Sequence, residues 1–301
     1  MSESMGAKTN DPDAAAETNA PIGARAAFPP THHIVRDLGV AVERARESDA
    51  FAIRLPIVPA IFDASGRPRV GVVAVIADMI AGQTAIREVA PSWIATSNLG
   101  LQVAELPTTG HLVARPRVLR KGNTTIVIEV SIDHAESGRP VGLSTLGFSI
   151  LPRRNAMQAA IQQARDSGGD GLYAPQGGSF SKPLLEAMGI RFDADDPGVA
   201  EVAVDPYLQN TLGALQGGVV AIFAEATAER LAASRLGSPV RVRGIELQYL
   251  KLGRKGPIQA RARELARTPG GAIVRVELFD RGDGDPLLTV VTVWIDRVAL
   301  P

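Results

Sequence analysis

Apolar positions along this chain fall into two solid runs and several alternating ones. The solid runs are VVAVIADMIA at 72–81 and VVAIFAEATA at 219–228, each broken by one ionisable side chain, Asp78 and Glu225. Each predicts a helix of about five turns fit for burial, the second spanning about 217–235. At 124–133 (TTIVIEVSID) and 272–280 (AIVRVELFD) apolar and polar residues alternate, the period of a strand with one buried face. Stretches 143–151 and 287–295 read as closing strands, and RKGN (120–123) and RTPGG (267–271) as hairpin turns. Ile34, Val35, Leu38 and Val42 share a face, which predicts a further short helix within 32–47.

The two runs belong to an internal repeat. Shifted by 147 positions, Gly66 falls on Gly213, Gly71 on Gly218, Val72-Val73-Ala74 on Val219-Val220-Ala221, and Asp78 on Glu225. With the offset slipped by one, Leu99, Leu101 and Gln102 meet Ile245, Leu247 and Gln248; later Ile126, Ile128 and Glu129 meet Val274, Val276 and Glu277. Each copy runs lead-in (Phe51–Asp63; Ile190–Asn210), Gly-rich turn, long helix, then consecutive strands. One apolar helix followed by antiparallel strands implies a sheet wrapped around that helix, an α+β arrangement. The division expected is a disordered tail at 1–30, a first domain at 31–155, a linker at 156–183 and a second domain at 184–301. The linker rests on the Gly, Ser and Pro of DSGGDGLYAPQGGSFSK (166–182).

Composition narrows the class. Of the 301 residues 45% are hydrophobic, enough for two cores, and Lys+Arg balance Asp+Glu at 32 each, which argues against a nucleic-acid partner. The absence of cysteine removes disulfides, thiolate metal sites and a Cys nucleophile, and fits a cytoplasmic location. No uninterrupted apolar run reaches the roughly 18–20 residues of a bilayer span, and the first thirty residues lack the apolar core of a signal peptide.

Candidate chemistry sits at the head and middle of each helix. A helix N-terminus exposes unpaired N–H groups and partial positive charge, and Gly213, Gly217 and Gly218 let a ligand oxygen approach the main chain there. That geometry suits an oxygen becoming an anion, as in attack on a thioester or ester carbonyl. Asp78 and Glu225 each lie nine residues beyond the position before their turn, about two and a half helical turns. Apolar surroundings there should raise the pKa of a carboxylate and with it its basicity.

Both halves resemble the hotdog-fold acyl-CoA thioesterases of the PaaI type, whose signature is Asn-x-x-Gly-x-x-His-Gly-Gly followed by Asp within the helix. The second half carries Asn210, Gly213, Gln216, Gly217 and Gly218, then Glu225; the first carries Asp63, Gly66, Arg69, Val70 and Gly71, then Asp78. The resemblance covers about 48–152 and 184–298. It implies two tandem hotdog domains sharing sites across their interface, with acyl-CoA as partner and thioester hydrolysis as reaction. One composite site would take Asn210 and Gly217 as carbonyl holders, Asp78 as general base or nucleophile, and Thr96 to place water. Gln216 and Gly218 would support it. The opposite site would take Asp63, Val70, Glu225 and Val242, having lost amide, glycine and hydroxyl, with Glu225 leaving a second weak site open. Arg120 and Lys121 at a strand turn are candidates for CoA phosphates, and a homodimer of such chains is expected.

The family's His is Gln216 here and Arg69 in the first copy, a departure that keeps a non-catalytic acyl-CoA-binding or regulatory module as the competing reading. Other classes fare worse. There is no G-x-S-x-G, no G-x-G-x-x-G loop after a strand, and no His in either motif. His32-His33 lacks accompanying ligands at metal-binding spacing. Neither metal nor cofactor is expected.

Overall fold

A helix with no polar face can be stable only where something covers every side of it. The first long helix is such an element, since Val72, Val73, Ala74, Val75, Ile76 and Ala77 are consecutive and all buried. What covers it emerges from a computed structural model describing residues 29–44, 51–153, 156, 158, 159 and 179–298. The expected tail, apart from its last two residues, and most of the expected linker lie outside the described residues.

The first unit runs α1 (Ile34–Asp37), β1 (Ala41–Arg44), β2 (Phe51–Pro56), α2 (Val70–Glu88), β3 (Trp93–Val103), β4 (His111–Lys121), β5 (Thr125–His134) and β6 (Pro140–Leu151). The second runs α3 (Leu184–Ala187), β7 (Arg191–Phe192), β8 (Val199–Val202), α4 (Gly217–Leu236), β9 (Val240–Tyr249), β10 (Ile258–Thr268), β11 (Gly271–Asp280) and β12 (Leu287–Arg297). The helix expected across 32–47 is only the four residues of α1. Gly39 turns the chain at a φ of +66° and Val42 joins β1, which pairs antiparallel with β2.

All twelve strands form one antiparallel sheet in the order β1-β2-β4-β5-β6-β3-β9-β12-β11-β10-β8-β7. The order reads equivalently from either end, and the centre is the antiparallel pairing of β3 with β9, Leu99 opposite Leu247 and Leu101 opposite Ile245. Each half of the sheet curls over its own helix. α2 is long and apolar enough to cross a bilayer although no uninterrupted apolar run has that length, but most of it is buried inside the protein.

The helices α2 and α4 meet antiparallel and very close. A Cβ on Gly71 would lie 2.5 Å from the Ile222 Cα, and one on Gly218 would lie 2.4 Å from the Val75 Cα. Both contacts are with backbone, so no side-chain rotation can relieve them. The approach sets the head of each helix against the middle of the other. A lead-in contact crosses the units as well: His33 Nε2 meets the Gln209 carbonyl at 2.9 Å, and Tyr207 donates to Asp37 at 2.8 Å. This braces the turn that begins at Asn210.

Two alanine substitutions separate packing from helix propensity. Gly218→Ala gains about 1 kcal/mol of propensity but overpacks the crossing, and a net loss of about 2 kcal/mol or more is expected in denaturant unfolding. Gly82→Ala, whose Cβ would meet Ile94 at an ordinary 3.8 Å, should instead gain up to about 1 kcal/mol.

Candidate active site

The crossing delivers Asp78, from the middle of α2, to the first turn of α4. Its Oδ1 accepts from Thr96 Oγ1 at 3.0 Å, and the Gly218 N–H points at the carboxylate. Gln216 Nε2 stands 3.5 Å from Oδ2, while Gln216 Oε1 caps the helix by accepting from the Val219 N–H at 3.1 Å. Tyr249, at the end of β9, donates to the Gly217 carbonyl at 2.8 Å and closes another side of this corner.

Thr96 reaches Asp78 because of a local irregularity. The β3–β6 register shifts between Thr96 and Asn98, leaving Ser97 as an extra residue. Leu99, Leu101 and Val103 face the core, so strict alternation would have turned Ser97 inward; the bulge turns Thr96 inward instead.

Burial dominates the electrostatics. Enclosure pushes Asp78 up to about 6, against the opposing pull of the Thr96 hydroxyl and the Gly218 N–H. Burial and the neighbouring Asp78 charge drive Tyr249 well above the usual phenol range, so it stays a neutral donor.

In front of this corner lies a cavity of about 500 Å³. Asp78, Thr96, Asn210, Gln216 and Gly217 all line it, which brings four expected catalytic residues and one supporting residue to one cavity. Met79, Ile86, Trp93 and Ile94 make one apolar side from the first unit, and Leu215, Val220 and Leu288 another from the second. Asn210 departs in detail from its expected role. Its Oδ1 accepts from the Leu212 and Ala214 N–H groups at 2.8 and 3.2 Å, so that oxygen builds the turn. The amide nitrogen spends one hydrogen on a long 3.4 Å contact to the Leu215 carbonyl, which leaves the other for a ligand. Asp63 builds the matching turn of the first unit, accepting from the Ser65 and Arg67 N–H groups.

The matching corner in the other direction is closed. Glu225 Oε1 accepts from the Val70 N–H at 2.7 Å and Oε2 from the Gly71 N–H at 2.8 Å, so both donors at the head of α2 are taken. Arg69 occupies the neighbouring space and pairs with Glu229 in a buried contact. Burial and the adjacent Glu229 raise Glu225 well above the ordinary carboxylate range, with Arg69 and the two N–H groups opposing them. Val242 replaces the Thr96 hydroxyl there and is buried.

Side-chain length is one difference between the corners. Glu225 is long enough to bridge two N–H groups, whereas Asp78, shorter by a methylene, lies against Gly217 without accepting from its N–H. Among the described residues no protein acceptor meets the Gly217 N–H, and Gly217 lines the cavity. An oxygen arriving from a ligand would find that donor open.

Arg120 and Lys121 lie away from the cavity lining. Lys121 Nζ donates to the Glu88 carbonyl at the end of α2. Sequence reasoning missed Tyr249, Gln83 and Lys251, which line the cavity. The signal for Tyr249 was a lone phenol ending an otherwise apolar–polar strand; nothing in the pattern marked the other two.

No protein-family model and no curated protein matches this sequence. Solved structures do. The tesB protein of Mycobacterium avium subsp. paratuberculosis aligns with a TM-score of 0.61 at 11% identity, over 88% of this chain and 98% of that one. A hot dog fold protein from Alicyclobacillus acidocaldarius aligns at 0.56 and 11% identity, over 89% and 99%. A 12:0-ACP thioesterase from Umbellularia californica aligns at 0.56 and 9%, over 83% and 94%. At these identities the likeness establishes the fold: an α+β chain of two tandem hotdog units, each a sheet wrapped around a long helix.

Two outcomes follow from the corner chemistry. The folded-state pKa of Asp78, about 6, lies above the unfolded value of about 3.9. Its stability contribution is therefore fully present below about pH 4 and lost as pH rises past 6. Asp78→Asn should then be more stable than the parent at pH 8, by at most about 3 kcal/mol because the cavity admits water, with the gap closing toward pH 4. Unfolding curves at the two pH values check this. Arg69→Met should cost about 3 kcal/mol, since it leaves two buried carboxylates without their cation.

Proposed function

We propose that the chain hydrolyses the thioester of an acyl-CoA or a related acyl carrier at one composite site, built from Asp78 and Thr96 of the first unit with Asn210, Gln216 and Gly217 of the second. The observation that carries this reading is the open Gly217 N–H set beside a half-buried, proton-accepting carboxylate at the cavity. Several structural neighbours are named as thioesterases, which supports the reaction class.

In this mechanism the substrate carbonyl oxygen accepts from the Gly217 N–H, with the head of α4 and the spare Asn210 hydrogen adding positive potential. Thr96 donates a hydrogen bond to the Asp78 carboxylate and offers its lone pairs to the attacking water. Asp78 takes a proton from that water as its oxygen bonds to the carbonyl carbon. Collapse of the tetrahedral oxyanion breaks the carbon–sulfur bond, and the thiolate leaves with the proton held by Asp78. Gln216 orients the carboxylate from the other side.

The boundaries that suit this reading are units at 31–155 and 184–301 derived from a duplicated ancestor. Glu225 and Arg69 then fill the second corner with protein groups in place of ligand, so that one chain carries one working site.

Asp78→Asn should lower kcat by about 10²–10⁴ in a thiol-release assay over an acyl-CoA chain-length series. Asp78→Glu is the sharper variant: it keeps the charge but bridges both N–H groups as Glu225 does, and a loss of about 10² or more is expected. Wild-type kcat/KM should rise with pH through about 6 as Asp78 ionises. A parent that binds acyl-CoA without turnover would turn the reading into that of a binding module.

A further inference from the structure

Five residues beyond Asp78 on α2, Gln83 enters the cavity wall. The residue is 9% exposed, and its Nε2 is buried with no hydrogen-bond partner among the described residues. Met79, Ile86, Trp93 and Ile94 line the same cavity, and of these only the Trp93 ring N–H offers a side-chain hydrogen-bonding group other than the weak Met79 sulfur. The hydrolytic steps above make no use of this amide. An unpartnered buried amide costs about 1–3 kcal/mol, and an isosteric apolar residue would avoid that cost.

We infer that Gln83 is a specificity-determining residue that selects acyl groups bearing a hydroxyl at a distance from the thioester. The inference rests on the acyl-thioester reading of the same cavity. A rise of 1.5 Å per residue sets Gln83 about 7–8 Å along the helix axis from Asp78, so the hydroxyl sits well down the acyl chain and not beside the reacting carbon. A hydroxyl is favoured because it both donates and accepts, and so satisfies either end of the amide, whose nitrogen and oxygen are interchangeable by a flip. A plain alkyl chain would leave the amide as it is, buried and unpaired. Sites that hydrogen-bond a substrate group reject analogues lacking it far better than apolar pockets reject extra methylenes.

The test compares octanoyl-CoA with isomers carrying a hydroxyl moved stepwise along the eight-carbon chain. kcat/KM is measured for the parent and for Gln83→Met, and the non-hydrolysable thioether analogues of the same compounds are bound calorimetrically. The parent should favour one hydroxylated isomer over octanoyl-CoA by about 10- to 100-fold in both assays. Gln83→Met should erase that preference, slowing the hydroxylated substrate and speeding the plain one. Because the amide has no partner in the free protein, Gln83→Met should also match or exceed the parent's Tm; a clearly lower Tm would assign the amide a structural role and overturn the inference. Turnover of every substrate without preference would also overturn it, while leaving the hydrolase reading in place. No turnover, with preferential thioether binding that Gln83→Met removes, would sustain the role of Gln83 and sink the hydrolase reading. Neither turnover nor preferential binding would end both.

Discussion

The close antiparallel approach of α2 and α4 governs everything else in this molecule. Two glycines, Gly71 and Gly218, let each helix press its head onto the backbone of the other at Ile222 and Val75. With Cβ atoms at those points the helices would have to separate, and a mid-helix carboxylate could no longer reach the opposite N-terminus. The same contact takes both carboxylates out of bulk water. Their raised pKa values and their proximity to helix-terminal N–H donors are therefore two consequences of one packing arrangement.

On that common scaffold, small chemical differences divide the two corners. Glutamate bridges both N–H groups at the head of α2, and Arg69 with Glu229 fills the adjoining space. Aspartate, shorter by a methylene, leaves the Gly217 N–H open at the cavity. Thr96 adds a hydroxyl to the open corner where Val242 adds none to the closed one. The closed corner is a helix cap and a buried ion pair, which support the fold. In the open corner the polar groups are only partly satisfied by protein, a state that costs stability and suits a ligand.

The cavity belongs to neither unit alone. α2 and β3 form one wall, the Asn210 turn, α4 and the end of β9 another, and the β3–β9 ladder holds the walls in register. Contacts from α1 to the Gln209 carbonyl and to Tyr207 tie the first unit to the turn that opens the second. Separating the units would dismantle the site while leaving two recognisable sheets.

Much of this could be read along the chain. Long apolar runs, each interrupted by a single carboxylate, identified the two core helices, alternation identified β5 and β11, and the offset of 147 related the halves, because burial on all sides or on one side leaves its own period in a sequence. The juxtaposition of Asp78, Thr96, Asn210 and Gly217 was what the resemblance to hotdog thioesterases implied, not something local spacing could show. Folding decided the rest. The side-chain reach that lets Glu225 close its corner and Asp78 leave one open is measured across two helices more than a hundred residues apart, and no local pattern records it. The bulge at Ser97, the phenol of Tyr249 and the stranded amide of Gln83 acquire meaning only from what packs against them, since hydrogen-bond satisfaction is a property of three-dimensional neighbours and not of sequence spacing.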